Sequence, residues 1–300
     1  MRRRQGGVAL VLVLWVITLL AVIAGNFAFS MRGEAQIARN LISTAQAKAQ
    51  ADAGVQRAWF ELLKPPTDLQ RWQGNGVAHE FALDGAVVRV SIQDESGKID
   101  LNTASDPLLQ GLFKSVGLSE EFSLALLDAV GDWRDPDKLK RLHGAEDDDY
   151  RAAGKSYVPS NAPFQTVDEL QRVLGMTPNL YRKLAPALTV YSGLPGFNSA
   201  VAPREVLLAL PGVNPAMVEQ YWVQRQSLLT SGQMAAAFAG AGAFASASPG
   251  IPAYMARSEA KLADGTVFVR QAMARLWQDP KRPVTVLAWG EGEAEQLTEK

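Results

Sequence analysis

Between residues 132 and 150 the sequence reads "DWRDPDKLKRLHGAEDDDY", and seven of its side chains are carboxylates: Asp132, Asp135, Asp137, Glu146, Asp147, Asp148 and Asp149. Calcium takes roughly six to eight oxygen ligands at about 2.3–2.6 Å, and carboxylates clustered in a loop can supply them. Asp132, Asp135 and Asp137 sit in a proline-containing turn and could converge on one ion. Glu146, Asp147 and Asp149 add ligands or hold a second ion. Asp148 is the weakest of the seven, because its neighbours can take the inward positions. The pattern is not an EF-hand loop, so spacing does not give geometry. The same residues also describe a solvated acidic loop with helix caps, which is what most charge runs are. A carboxylate pair can hydrolyse glycosides, but only Trp133 offers a sugar platform nearby.

The remaining composition excludes more than it offers. The chain has no cysteine and two histidines, His79 and His143, far apart in sequence. Thiolate metal sites, disulfides, cysteine nucleophiles and histidine-dependent hydrolysis have nothing to build with. A net charge of −1 gives no general attraction to nucleic acid. A chain of 300 residues suggests about two domains.

The elements that must position the carboxylates begin with a membrane segment. Arg2, Arg3 and Arg4 precede an apolar run, "GGVALVLVLWVITLLAVIAG", and no charge interrupts residues 8–29. About 20 such residues span the roughly 30 Å hydrocarbon layer. The arginines keep the N-terminus cytoplasmic and place the bulk of the chain outside. A secretory signal and a plain anchor fit the run as well. No polar linker follows. Ile37, Leu41 and Ala45, then Val55, Trp59 and Leu63, recur at helical spacing, so one helix is expected over 8–64, ended by Pro65 and Pro66.

Beyond it, "HEFALDGAVVRVSIQDESGKIDLN" predicts a hairpin turning at Asp84-Gly85, within a first β portion at 65–100. "YMARSEAKLADGTVFVRQAMARLW" and "PVTVLAWGEG" predict a second β portion at 251–300, with its own turn at Asp264-Gly265. Residues 101–231 read as an inserted all-α domain, and 232–250 as an Ala/Gly/Ser-rich, mobile connection. The insertion holds a weak repeat of cap, short helix, glycine and second helix, with the glycines at Gly117, Gly175 and Gly212. Thr166 and Glu169 form a capping box. This grammar resembles helix-hairpin-helix modules, and a membrane-anchored DNA-binding pilin-like protein is the alternative reading. Against it, the first hairpin carries Glu120 and Glu121, where phosphate capture calls for cations.

The basic leader, the glycine and the long apolar helix resemble a type IV prepilin. The start "GVAL", with "DESGKIDLNTA", "GDWRDPD", "HGAEDDDY" and "GMTPNLYRKLAPALTVYSG", is similar to the minor pseudopilin K family of type II secretion (general secretion pathway protein K). The similarity covers most of the chain. It implies an α+β, type IV pilin-like fold: a long N-terminal transmembrane and amphipathic helix, a small antiparallel sheet, and the inserted helical domain with its hairpin-like repeats. It implies cleavage by prepilin peptidase between Gly7 and Val8, which removes residues 1–7 as a leader, and methylation of the new amine. It also implies calcium bound in the acidic region. Most pilins carry Glu at mature position five, where this chain has Leu12; the K family shares that absence. The implied role is non-enzymatic, at the tip of a periplasmic pseudopilus anchored in the bacterial inner membrane. The implied partners are the I and J minor pseudopilins and the major pseudopilin, with neither nucleic acid nor a small-molecule substrate.

Overall fold

A computed structural model of the chain describes residues 8–293 apart from 66, 69, 231, 232, 234, 247–250 and 278. Gly7, on one side of the expected cleavage, lies outside the described residues. Helix α1 (Val8–Leu63) runs unbroken for 56 residues and stops just before Pro65, which cannot continue it. Every residue from Ala9 to Ile42 is exposed. The buried face begins only at Ala47 and continues through Ala51, Val55, Ala58, Trp59 and Leu62. The expected stripe is therefore only partly used: Val55 and Trp59 are buried, but Ile37, Leu41 and Leu63 are 62%, 66% and 43% exposed, and Ala45 is exposed too. Alanines at a four-residue spacing bring the backbone close to the sheet and so set the docked face. Larger residues further up the helix lie beyond the sheet's reach.

That sheet has the order β1-β2-β5-β6-β7, made from β1 (Asn75–Leu83), β2 (Ala86–Asp94), β5 (Ala253–Lys261), β6 (Val267–Leu276) and β7 (Val284–Glu291). Each neighbouring pair is antiparallel. Asp84 and Gly85, both at positive φ (44° and 80°), make the first hairpin turn, the conformation a two-residue hairpin needs. Ala86, Val88, Val90 and Ile92 alternate inward against α1. At the second turn, Asp264 accepts the Thr266 N–H and receives the Ser43 hydroxyl at 2.6 Å, which ties it to α1.

Gly54 marks the closest approach of helix and sheet. A Cβ there would lie 2.1 Å from Ser258 Oγ and 2.8 Å from Val88 Cγ1. Gly54→Val is expected to cost about 2–3 kcal/mol through overpacking. Gly33→Ala, with no atom near its Cβ, should leave thermal melting unchanged or slightly raised. Equal shifts for the two variants would contradict this account of the docking.

Between β2 and β5 the chain leaves the sheet. It forms β3 (Ile99–Asp100), α2 (Asp106–Ser115), α3 (Glu120–Arg134), α4 (Asp147–Ala152), α5 (Pro178–Leu184), β4 (Leu188–Thr189), α6 (Arg204–Leu208) and α7 (Pro215–Thr230). These elements enclose a second core around Leu108, Phe113, Val130, Tyr150, Phe164 and Phe197. The departure comes after Asp94, not at the expected residue 100. Ile99 and Asp100 pair in parallel with Leu188 and Thr189, because Ile99 and Leu101 bury their side chains in the helical core.

Gly117, Gly175 and Gly212 all take positive φ (94°, 89° and 71°). Thr166 and Glu169 form their capping box, but it opens a 3₁₀ turn (Val167–Arg172) instead of an α-helix. The stretch expected to be a mobile connection is partly docked. Ala239–Phe244 form a 3₁₀ turn, Phe238 and Ala241 are buried in the helical core, and Phe238 packs on Tyr221 at 5.0 Å between ring centroids.

Candidate metal centre

The carboxylates lie where α3 ends and α4 begins. Asp132 occupies the last turn of α3, Asp135 caps its C-terminus, and Glu146 caps the N-terminus of α4. Acidic side chains suit a helix N-terminus and are unfavourable at a C-terminus. Helix electrostatics therefore account for Glu146, Asp147 and Asp149 but not for Asp132 and Asp135.

Asp132 is fully buried. Its carboxylate accepts the Arg141 backbone N–H at 3.2 and 3.3 Å. A Cβ on Gly144 would lie 2.0 Å from Asp132 Oδ2, so only glycine lets the loop close over this carboxylate. Glu146 is 7% exposed. Its side chain faces the Asp149 backbone N–H in the capping box that opens α4, whereas Asp135 Oδ1 and Asp147 Oδ1 are buried without a hydrogen-bond partner. Burial, reinforced by neighbouring carboxylates, pushes the Asp132, Asp135 and Glu146 carboxyls above their usual range. Buried acceptors left unpaired carry a free-energy cost, and a bound cation would remove it.

The structure thus draws Asp132, Asp135, Glu146 and Asp147 into one neighbourhood. Asp137 and Asp149 are committed elsewhere. Asp137 is exposed, and its Oδ1 accepts the Leu139 N–H at 2.8 Å. Asp149 Oδ2 accepts the Glu146 N–H, while its Oδ1 pairs with Lys140 at 2.6 Å, a contact that lowers the Asp149 pKa. Asp148 is 97% exposed and pairs with Arg151. Among the described residues, no three acidic or histidine side chains stand ready to hold an ion. The four carboxylates are neighbours without being convergent.

Two supporting features were missed in the sequence. Tyr150, fully buried, accepts the Leu174 N–H through its hydroxyl and packs 6.1 Å from Trp133, which anchors α4. Burial raises its pKa to about 12. The basic residues Lys138, Lys140 and Arg141 form ion pairs with the acidic residues around them; their position between the two acidic groups was the available signal. Trp133 is buried and stacked on Phe164, so it offers no face to a sugar.

Residues 86–193, which contain this centre, match the sequence model of the family described as "Type II secretion system (T2SS), protein K". Over those residues the chain is similar to type II secretion system protein K. The protein of that name from Aeromonas hydrophila is 28% identical over 210 residues, 61% of this chain and 63% of that protein. The Pseudomonas aeruginosa protein K is 28% identical over 240 residues, 73% of this chain and 72% of its own length. The match to the Aeromonas protein thus spans just under two thirds of its length. Among solved structures, the fold is similar to that of a chain in the GspK-GspI-GspJ complex of the enterotoxigenic Escherichia coli type 2 secretion system. The TM-score is 0.57 and the identity 17%, over 88% of this chain and 99% of that one. None of these likenesses supports the DNA-binding alternative.

Proposed function

We propose that the chain is a non-enzymatic minor pseudopilin that sits at the tip of a periplasmic pseudopilus, helps to start it, and serves the export of folded proteins across the outer membrane. The observation that carries this reading is the division of α1. One half is docked on the sheet; the other is a bare helix, exposed from Ala9 to Ile42 and apolar and long enough over its first part to cross a membrane. Such a helix anchors the chain singly in the inner membrane and can later pack against the helices of neighbouring subunits. The arginines before it keep the N-terminus cytoplasmic. Cleavage after Gly7 and methylation of Val8 belong to the same reading.

Residues 101–231 form the inserted, mainly helical domain of this proposal. Calcium is its cofactor, held by Asp132, Asp135, Glu146 and Asp147. When bound, the ion would neutralise these carboxylates and fasten the end of α3 to the start of α4. The unpaired, buried Asp135 Oδ1 and Asp147 Oδ1 support this assignment.

The partners are two smaller minor pseudopilins, of the I and J types, with the major pseudopilin below them. A fragment starting at residue 30 keeps both cores, because no residue from Ala9 to Ile42 is buried. Mixed with the two partners in calcium, it is expected to elute as a one-to-one-to-one complex whose mass light scattering can confirm. Three separate peaks would count against the proposal.

A further inference from the structure

The face of the sheet turned away from α1 forms one wall of a large cleft. Ala256 and Ala272 belong to the core under α1, so their neighbours Met255, Arg257, Gln271 and Met273 point to the opposite side. The other wall comes from α5 and the turn after it, through Tyr181, Arg182, Ala185 and Pro186. The space between them is about 730 Å³, within the roughly 300–1,000 Å³ range of ligand pockets. Met255 and Met273 make its floor apolar. Three cations line it, and two are spent: Lys98 on Glu95 and Arg257 on Glu259. Arg182 is exposed and makes no ion pair among the described residues. Of the other carboxylates there, Asp168 accepts the Tyr181 hydroxyl, and Glu291 and Glu293 are exposed. The chain itself turns into this cleft. After β7, Gly292 donates its N–H to Val269 O at 3.0 Å. It lies over β6, where a Cβ on it would be 2.8 Å from Val269 Cγ1 and 2.9 Å from Gln271 Cγ. Arg257 Nη2 then donates to Glu293 O at 3.0 Å. The path thus crosses from β7 over β6 to β5, away from α1. Residues 294–300, "AEQLTEK", follow from that point and lie outside the described residues.

We propose that residues 294–300 occupy this cleft and brace the helical insertion against the sheet, with Leu297 over Met255 and its flanking glutamates beside Arg182. The proposal stands apart from the calcium reading. In an extended segment Glu295, Leu297 and Glu299 share one side, and Gln296, Thr298 and Lys300 the other. An acid–leucine–acid edge matches an apolar floor with a free guanidinium at its rim. Seven residues reach at most about 23 Å when extended, enough to cross from β5 toward α5. The segment is tethered inside the cleft at Glu293, so its effective concentration there favours it over a separate chain.

The chain has no cysteine, so single introduced cysteines report accessibility without background. In the full chain in detergent micelles, maleimide is expected to label Leu297→Cys about tenfold more slowly than Thr298→Cys, because only the first faces the cleft. Arg182→Glu should reduce that protection. Met255→Cys should label about tenfold faster once residues 294–300 are deleted. Added AEQLTEK peptide should slow it again, and a peptide with Leu297→Asp should not. Ser91→Cys, a nearly isosteric change at a residue lining the same cleft, repeats the measurement should Met255→Cys fail to fold. Equal rates at 297 and 298, or a cleft cysteine that ignores the deletion, overturns the proposal. Protection of Met255→Cys that arises only when two smaller pseudopilins are added assigns the cleft to a partner and overturns it as well.

Discussion

Chelation of calcium is expected to lower the melting temperature of the fragment starting at residue 30 by roughly 5–10 °C. An ion present at a hundredfold excess over its Kd adds about 2.7 kcal/mol to the folded state. For a chain of this size each kcal/mol moves the midpoint by about 2–4 °C. On the proposed calcium reading, the effect should depend on Asp132, Asp135, Glu146 and Asp147. Asp132→Ala, Glu146→Ala and Asp147→Ala should each abolish most of the shift. Asp148→Ala, at a position 97% exposed, should leave it intact. Asp137→Ala separates the sequence-based ligand set from the structural one: retention of the shift agrees with Asp137 being spent on the Leu139 N–H. Melting that ignores both calcium and chelator would remove the calcium reading and leave these carboxylates as parts of the α3–α4 junction alone.

A label fixed to this subunit should appear at one end of each assembled pseudopilus. Leu12, 62% exposed on the apolar half of α1, offers no carboxylate to a neighbouring N-terminal amine. A carboxylate within hydrocarbon is costly when alone, so a pilin that carries one gains by docking beneath an earlier subunit, and this chain lacks that drive. The second reason is steric. Between β2 and β5 the described residues build a separate helical core, bulk that a subunit stacked above would have to pass through. Both features allow neighbours below and oppose any above. Leu12→Glu is therefore expected to leave the label at one end, since the bulk remains. Labels repeated along the shaft would refute the steric argument.

Several elements were legible because their causes are local. The membrane half of α1 follows from an uninterrupted apolar run, and its end from Pro65. Asp84-Gly85 announced its turn because few residue pairs accept positive φ at both positions, and Asp264-Gly265 because only the glycine takes positive φ while Asp264 caps the turn through the Thr266 N–H. The positive φ at Gly117, Gly175 and Gly212 follows from the same rule. The docked face of α1 was less legible. Ile37 and Leu41 share a helical period with Val55 and Trp59, and nothing within the helix says where the sheet begins. The docking of Phe238 was hidden inside an Ala/Gly/Ser-rich stretch whose composition suggests a tether.

By itself, the sequence determined the single apolar helix, the two hairpins, the helical middle and the acidic loop, because each depends on residues within a few positions of one another. The tertiary structure alone decided the pairing of β2 with β5, which spans the whole helical excursion, and that of Ile99–Asp100 with Leu188–Thr189. It also decided which carboxylates of the acidic loop are buried and which are spent on caps and surface pairs. Asp132 is buried because α3 presents it inward and Gly144 makes room for it, and Asp149 is held at the start of α4 by the Glu146 N–H that it accepts. Charge spacing along the chain carries no record of which side chains burial and capping will claim, since both are set by where the end of one helix meets the start of another.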